Sequence, residues 1–279
     1  MSVKIVTDST SDIPAELISE LGITVVPVCL LFGEETYRDR VDMSEDEFYE
    51  KLIKDPRHPT TTQPTPKDFD EVYKKLSVEA DGIISIHLSK KLSGTYGSAA
   101  QSAKNIKDCP IEVIDTNSVS MGLGLVVLEA AKMAKAGKSY QNIIAEVNKI
   151  IADVHVVALF DTLKYLSKGG RIGKGKALLG SMLSVKPMLT LKEGEFEPLG
   201  QVRNYNKGID KLLQILGSYK TVTELAVVHS TTPEEAKVLA DRATSILAKE
   251  HIQIARLGPA LGAHGGPKVL VVAFIGSKS

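Results

Sequence analysis

A chain of 279 residues, 43% of them hydrophobic, is long enough for one large or two modest domains with a substantial core. Its 34 Lys and Arg balance 34 Asp and Glu, so no global field draws it to nucleic acid or to an anionic membrane. Tryptophan is absent and aromatics make up 5%, which argues against base stacking or a membrane belt, and two cysteines are too few for a disulfide framework or a cysteine zinc site.

Residues 3–6 read as a buried strand. The polar turn Thr7-Asp8-Ser9-Thr10-Ser11-Asp12 follows, then a helix with Pro14 in its first turn. The chain enters this strand without the apolar segment of a secretory leader. No stretch approaches the roughly 20 apolar residues of a membrane span, so a reducing cytoplasm is the expected compartment. Residues 24–32, β-branched and apolar, form a second expected strand, with Cys29 as inert core. Ser44 and Glu47 make a capping box for a helix to about Lys54, and Thr65-Pro66 opens another to about Leu76. A strand over 82–87, a helix over 96–106, a strand over 111–115 and a long amphipathic helix over 121–136 complete a strand–helix alternation. That alternation is the signature of an α/β domain with a mostly parallel sheet.

A helix over 139–152 and a strand over 154–160 lead to a basic, glycine-rich stretch, 161–175, which marks the passage into a second α/β unit. That unit is expected to hold helices over 176–183, 207–218 and 233–250, the last capped by Thr232 and Glu235. Its strands are 186–191, 195–203, 224–229 and 269–275, the first two paired around Glu193-Gly194. The fold class is α/β, with domains over residues 1–160 and 161–279.

Three separated pieces carry neutral hydrogen-bond donors on easily bent backbone: Thr60-Thr61-Thr62 between Pro59 and Pro64, Ser93-Gly94-Thr95, and the glycine-rich loop 258–266 around His264. Together they suggest a pocket for a small anionic head group. Ser93, between a strand and a helix, suits either an N-cap or an anion contact at the helix N-terminus. Thr65 already caps its own helix, which leaves the threonines before it free for another task. An ordinary pKa near 6.5 lets His264 donate to a carboxylate in either protonation state. Asp8 and Asp115 sit at C-terminal ends of strands, where ligands bind in open α/β sheets; each either orients a pocket hydroxyl or bonds its own turn. Residues 170–177 nearly match a phosphate-binding loop, but Ala177 replaces the magnesium-binding hydroxyl and the preceding strand ends too early, near Phe160. That stretch reads as a solvated basic loop or a docking surface for an acidic partner.

Six motifs, Thr7-Asp-Ser-Thr-Ser-Asp12, Pro59-Thr-Thr-Thr-Gln-Pro64, Leu92-Ser-Gly-Thr95 with Ser98-Ala99, Gly169-Gly-Arg-Ile172, Lys186-Pro187 and Gly258-Pro-x-x-Gly262-x-His264, resemble the DegV family in order and spacing. The resemblance runs over residues 3–278. It implies a two-domain α/β protein that encloses a long-chain fatty acid, such as palmitate, between its domains. It also implies that some relatives are the acyl-binding subunits of a bacterial fatty acid kinase and present the carboxylate to a separate ATP-binding protein. Thr61 and Ser93 fall where the family holds the carboxylate, His264 falls in the head-group loop, and Thr62 and Thr95 lie beside these contacts. Arg171 falls where kinase-partner relatives use a basic docking contact. Lys90-Lys91 departs from the Ser-Gly usual before this motif and adds charge near the pocket mouth. The implied protein has no catalytic residue, metal or cofactor of its own. Its acyl tail needs an apolar tunnel, for which the face of 121–127 and the stretch 177–183 are candidates. The alternatives are a self-sufficient phosphotransferase, a hydrolase using Ser93 with His264, or a docking module whose ligand is regulatory. The hydrolase lacks the G-x-S-x-G elbow that would present Ser93.

Overall fold

The computed structural model describes residues 2–180 and 185–278. Its first sheet is fully parallel, in the order β2 (Thr24–Val26), β1 (Ser2–Asp8), β6 (Ala80–His87), β7 (Ile111–Asp115). The six residues from Gly82 to His87 in β6 are all buried, as in a parallel strand covered on both faces. On one face Val6 and Ile83 pack under Phe69 and Tyr73 of α3 (Pro66–Ser77) and Ala99 of α4 (Thr95–Ala103). On the other, Ile5, Ile84 and Ile86 meet α5 (Met121–Lys135) and α6 (Tyr140–Ala152), with α1 (Ala15–Leu21) alongside.

The second sheet is mixed and six-stranded: β10 (Glu195–Val202), β9 (Lys186–Lys192), β8 (Val154–Leu159), β13 (Leu270–Ser277), β11 (Thr221–His229), β12 (Ile252–Arg256). Only β11 and β12 run parallel. Strand alternation divides β8 between two cores. Val157 and Leu159 pack beneath α8 (Tyr205–Leu216) and α9 (Pro233–Ala243), whereas Val156 and Ala158 join the core that contains α5. Residues 121–127 are therefore buried on every side, between the two sheets. All of the ladder partners of β8 lie beyond residue 185, in β9 and β13.

A third, antiparallel sheet joins β4 (Glu35–Arg38), β3 (Cys29–Phe32) and β5 (Thr60–Thr62). It packs with α2 (Glu45–Lys54) and with α10 (Pro259–Gly265), and Tyr165 of α7 (Lys164–Lys168) reaches the same cluster.

Several expected elements differ in detail. The strand over 24–32 divides at Pro27-Val28, where proline has no N–H for a ladder, and its halves enter different sheets. The triplet Thr60-Thr61-Thr62 is a strand rather than a loop, and the glycine-rich loop 258–266 is mostly helix, with Pro259 in its first turn. The helix expected to reach residue 250 stops at Ala243, Thr232 makes no side-chain cap, and β12 follows. Gly173–Leu178 is a 3₁₀ helix, and residues 181–183 of the helix expected over 176–183 lie outside the described residues. The capping boxes Ser44/Glu47 and Thr65/Asp68 are both present. Glu193 and Gly194, at φ 49° and 80°, make the tight β9–β10 turn.

Candidate functional site

A cavity opens where the three sheets meet. It spans about 890 Å³ of space between atoms, the open solvent at its mouth included. Val156 and Ala158 of β8, Val271 of β13, Phe160 and Phe196 form an apolar wall, and Leu88, Val119 and Leu257 continue it. Thr61, Gln63, Ser93, Arg171 and His264 are the polar groups at one part of the lining.

Thr61 is central in β5, paired with Leu30, and its Oγ1 lies 2.8 Å from Nε2 of His264 in the last turn of α10. Nδ1 of His264 is buried with no hydrogen-bond partner. It lies against the Gly169 backbone, where an added Cβ would stand 2.1 Å away, so only glycine permits this approach. Burial, helped by the charge of Arg171 and by His58, lowers the His264 pKa to about 4. The ring is neutral at pH 7, rather than titrating near its ordinary value. A proton on Nε2 serves the network best, because an orphaned buried N–H is worse than an orphaned lone pair. The imidazole then donates to Thr61 and frees the threonine O–H to donate into the cavity.

Ser93 Oγ accepts from the Thr95 amide at 3.3 Å and lies 2.9 Å from Thr95 Oγ1. Its hydroxyl therefore bonds the first residue of α4 while it lines the cavity, but the N-cap position expected of it is taken by Gly94, and the helix has no side-chain cap. Gln63 packs against Gly94 so closely that a Cβ there would stand 2.4 Å from the amide nitrogen, which brings the β5 exit and the Ser93 turn together. Arg171 is exposed; it donates from Nη1 to the Gly169 carbonyl at 2.7 Å and from Nε to the Leu92 carbonyl at 3.2 Å. It ties the 169–171 turn to the Ser93 turn at the cavity rim.

Ser93 and His264 are not hydrogen-bonded to each other, since their side-chain partners are Thr95 and Thr61. Among the described residues, no cluster of three or more His, Cys, Asp or Glu is arranged to hold a metal ion, and no helix is long and apolar enough to cross a membrane.

The family model described as "Uncharacterised protein, DegV family" matches residues 2–277. The chain belongs to the DegV family. It is 38% identical to a DegV domain-containing protein of Streptomyces coelicolor over 275 residues, 97% of each chain. The solved structure of a DegV family protein from Thermus thermophilus, described by its fatty acid binding, superposes with a TM-score of 0.92 at 33% identity, over 99% of this chain and 100% of that one. DegV from Bacillus subtilis, described as a fatty acid binding protein, superposes with a TM-score of 0.87 at 29% identity, over 99% and 100%.

In this DegV chain, Thr61, Ser93, His264 and Arg171 line one cavity, whereas Thr62 and Thr95 do not. Thr62 neighbours Thr61 on β5, so alternation turns it to the other face, where it is exposed. Thr95 is buried behind Ser93 as its hydrogen-bond partner. Residues 121–127 and the described part of 177–183 are absent from the lining. The expected charge of Lys90 and Lys91 is engaged elsewhere. Lys90 Nζ lies 3.6 Å from Asp115 and Lys91 Nζ 3.8 Å from Glu195. Asp115 accepts from the Asn117 amide and so serves its own turn. Asp8 does not line the cavity but bonds Thr10, which does. Thr10, Gln63 and Ser120 were not singled out as site residues, although Thr10 and Gln63 lie inside the motifs. The alternation of β8 was the signal for Val156 and Ala158.

Proposed function

We propose that this protein binds a long-chain fatty acid such as palmitate between its parallel-sheet unit and its six-stranded unit, in the cytoplasm of a bacterial cell. The carboxylate is held by the hydroxyls of Thr61 and Ser93, with neutral His264 orienting Thr61, and the tail lies along the apolar wall. The supporting observation is that two hydroxyls, Thr61 with its His264 partner and Ser93, line one cavity whose remaining wall is mostly apolar. A desolvated carboxylate must regain several hydrogen bonds or take up a proton. Two hydroxyls, the Gln63 amide and the nearby guanidinium of Arg171 are suited to that need. Each buried methylene adds about 0.8 kcal/mol, so affinity comes mainly from the tail. The relatives described as fatty acid binding point the same way.

The protein then acts in lipid transport or fatty acid metabolism as a carrier without catalysis of its own. It presents the acid to a separate ATP-binding kinase, with the exposed rim at Arg171 as the docking contact. Titration of delipidated protein with palmitate should saturate at one acid per chain. ATP added with the acid and no partner protein should yield no acyl phosphate. Absence of saturable binding contradicts the carrier role, and turnover without a partner contradicts the division of labour.

A further inference from the structure

The cavity has a second polar place in its wall, built by different elements from the Thr61–His264 network. Thr10 lies just past the C-terminal end of β1, and Ser120 immediately precedes α5. Both line the cavity among Val28, Leu88, Val119 and Leu257, and both are almost fully buried.

Each of these hydroxyls has its only hydrogen committed. Thr10 Oγ1 donates to Asp8 Oδ1 at 2.5 Å, and the Thr10 amide donates to the same oxygen at 3.1 Å. Asp8 is fixed in turn: its Oδ2 accepts from His87 Nδ1 at 2.8 Å and lies 3.5 Å from the Leu88 amide. His87 Nε2 lies 2.7 Å from Ser85 Oγ, which accepts from the Tyr73 hydroxyl at 2.7 Å. Tyr73, Ser85, His87 and Asp8 are all fully buried, so this chain is shielded from solvent. Ser120 Oγ donates to Asp12 Oδ2 at 2.6 Å, while Asp12 Oδ1 accepts from the Gly258 amide at 2.9 Å and from Arg40 at 3.3 Å. Ser120 holds a left-handed φ of 56°, unusual for a residue with a side chain, where glycine would be unstrained.

A hydroxyl carries one donor and two acceptor lone pairs. With their hydrogens given to carboxylates, Thr10 and Ser120 can offer the cavity only acceptors. A carboxylate cannot use them, but a hydroxyl on the ligand can. We propose that Thr10 and Ser120 form an acceptor subsite for a hydroxyl carried on the acyl chain, so that the ligands of this protein include hydroxylated long-chain fatty acids. The proposal rests on the fatty-acid reading of the same cavity.

The test compares the unsubstituted acid with a series of isomers of equal length, each carrying one hydroxyl at a different carbon, by titration of the delipidated full chain. A hydroxyl buried without a partner weakens binding about tenfold or more. The expected result is that most isomers bind about tenfold or more below the unsubstituted acid, while one narrow run of positions binds at least as tightly. In Thr10→Val combined with Ser120→Gly, the affinity of that favoured isomer relative to the unsubstituted acid should fall about tenfold. Thr10→Ser, which keeps the hydroxyl, should preserve the ratio. Uniform weakening of every isomer, or a favoured isomer that survives in the double variant, overturns the subsite and leaves the fatty-acid reading standing. Failure of the unsubstituted acid to bind overturns both.

Discussion

His264 shows why a residue type alone does not define its chemistry. Its sequence neighbours suggested an ordinary imidazole, but packing against Gly169 and desolvation make it a neutral support for Thr61. The unfolded chain takes up a proton at this residue near pH 6.5 and the folded chain only near 4, so His264 lowers stability as pH falls through that window. Asp12 and Asp39 act in the opposite direction. Burial, opposed by Arg40, raises them to about 6 and about 7. The folded chain then keeps protons that the unfolded chain has released, and stability falls as pH rises from about 4 to about 7. Asp39→Asn should therefore be more stable than the wild type at pH 8, with the difference shrinking toward pH 4, as read by denaturant unfolding. A wild-type advantage at pH 8 contradicts this account. Asp8 supplies a second residue-scale test. Its fully buried side chain accepts from His87 and Thr10, and Asp8→Ala should cost about 1–3 kcal/mol of unfolding free energy by leaving the His87 N–H without a partner.

At the scale of elements, the regular parts were legible and the site-bearing parts were less so. Parallel strands and long amphipathic helices declare themselves by period and length, and the Ser44 and Thr65 caps fell where their side chains indicated. β5 has three residues and α10 seven, too short for periodicity to register. They exist because tertiary partners hold them: β5 pairs with β3, and Ala263 of α10 is buried with Phe48 and Tyr49 of α2. The motif residues Thr61 and His264 ride on these elements, so the residues were found while their geometry was not. The turn after α7 is equally specific. Gly169→Ala should displace the His264 ring and reduce fatty-acid affinity while the far-ultraviolet circular dichroism stays that of the wild type. Unchanged affinity would show that the His264 position is immaterial.

For the whole molecule, the decisive feature is α5, buried between the two large sheets. The period of residues 121–127 marked them as apolar but could not say whether they face a tunnel or a core; the second sheet makes them core. The cavity is left to β8, β13 and the β10 hairpin, whose inward positions come from distant parts of the chain. A ligand there would touch the six-stranded sheet and the turns that leave the parallel sheet, so its removal should lower the melting temperature, and readdition at a hundredfold excess over Kd should restore about 2.7 kcal/mol. Thermal unfolding before and after delipidation checks this.

The most direct test of the account is native mass spectrometry of the purified protein, followed by organic extraction, for the wild type and for Thr61→Val combined with Ser93→Ala. The account predicts one long-chain fatty acid per wild-type chain and a marked loss from the double variant. A wild-type protein with no bound acid, or a double variant that retains it undiminished, would contradict it.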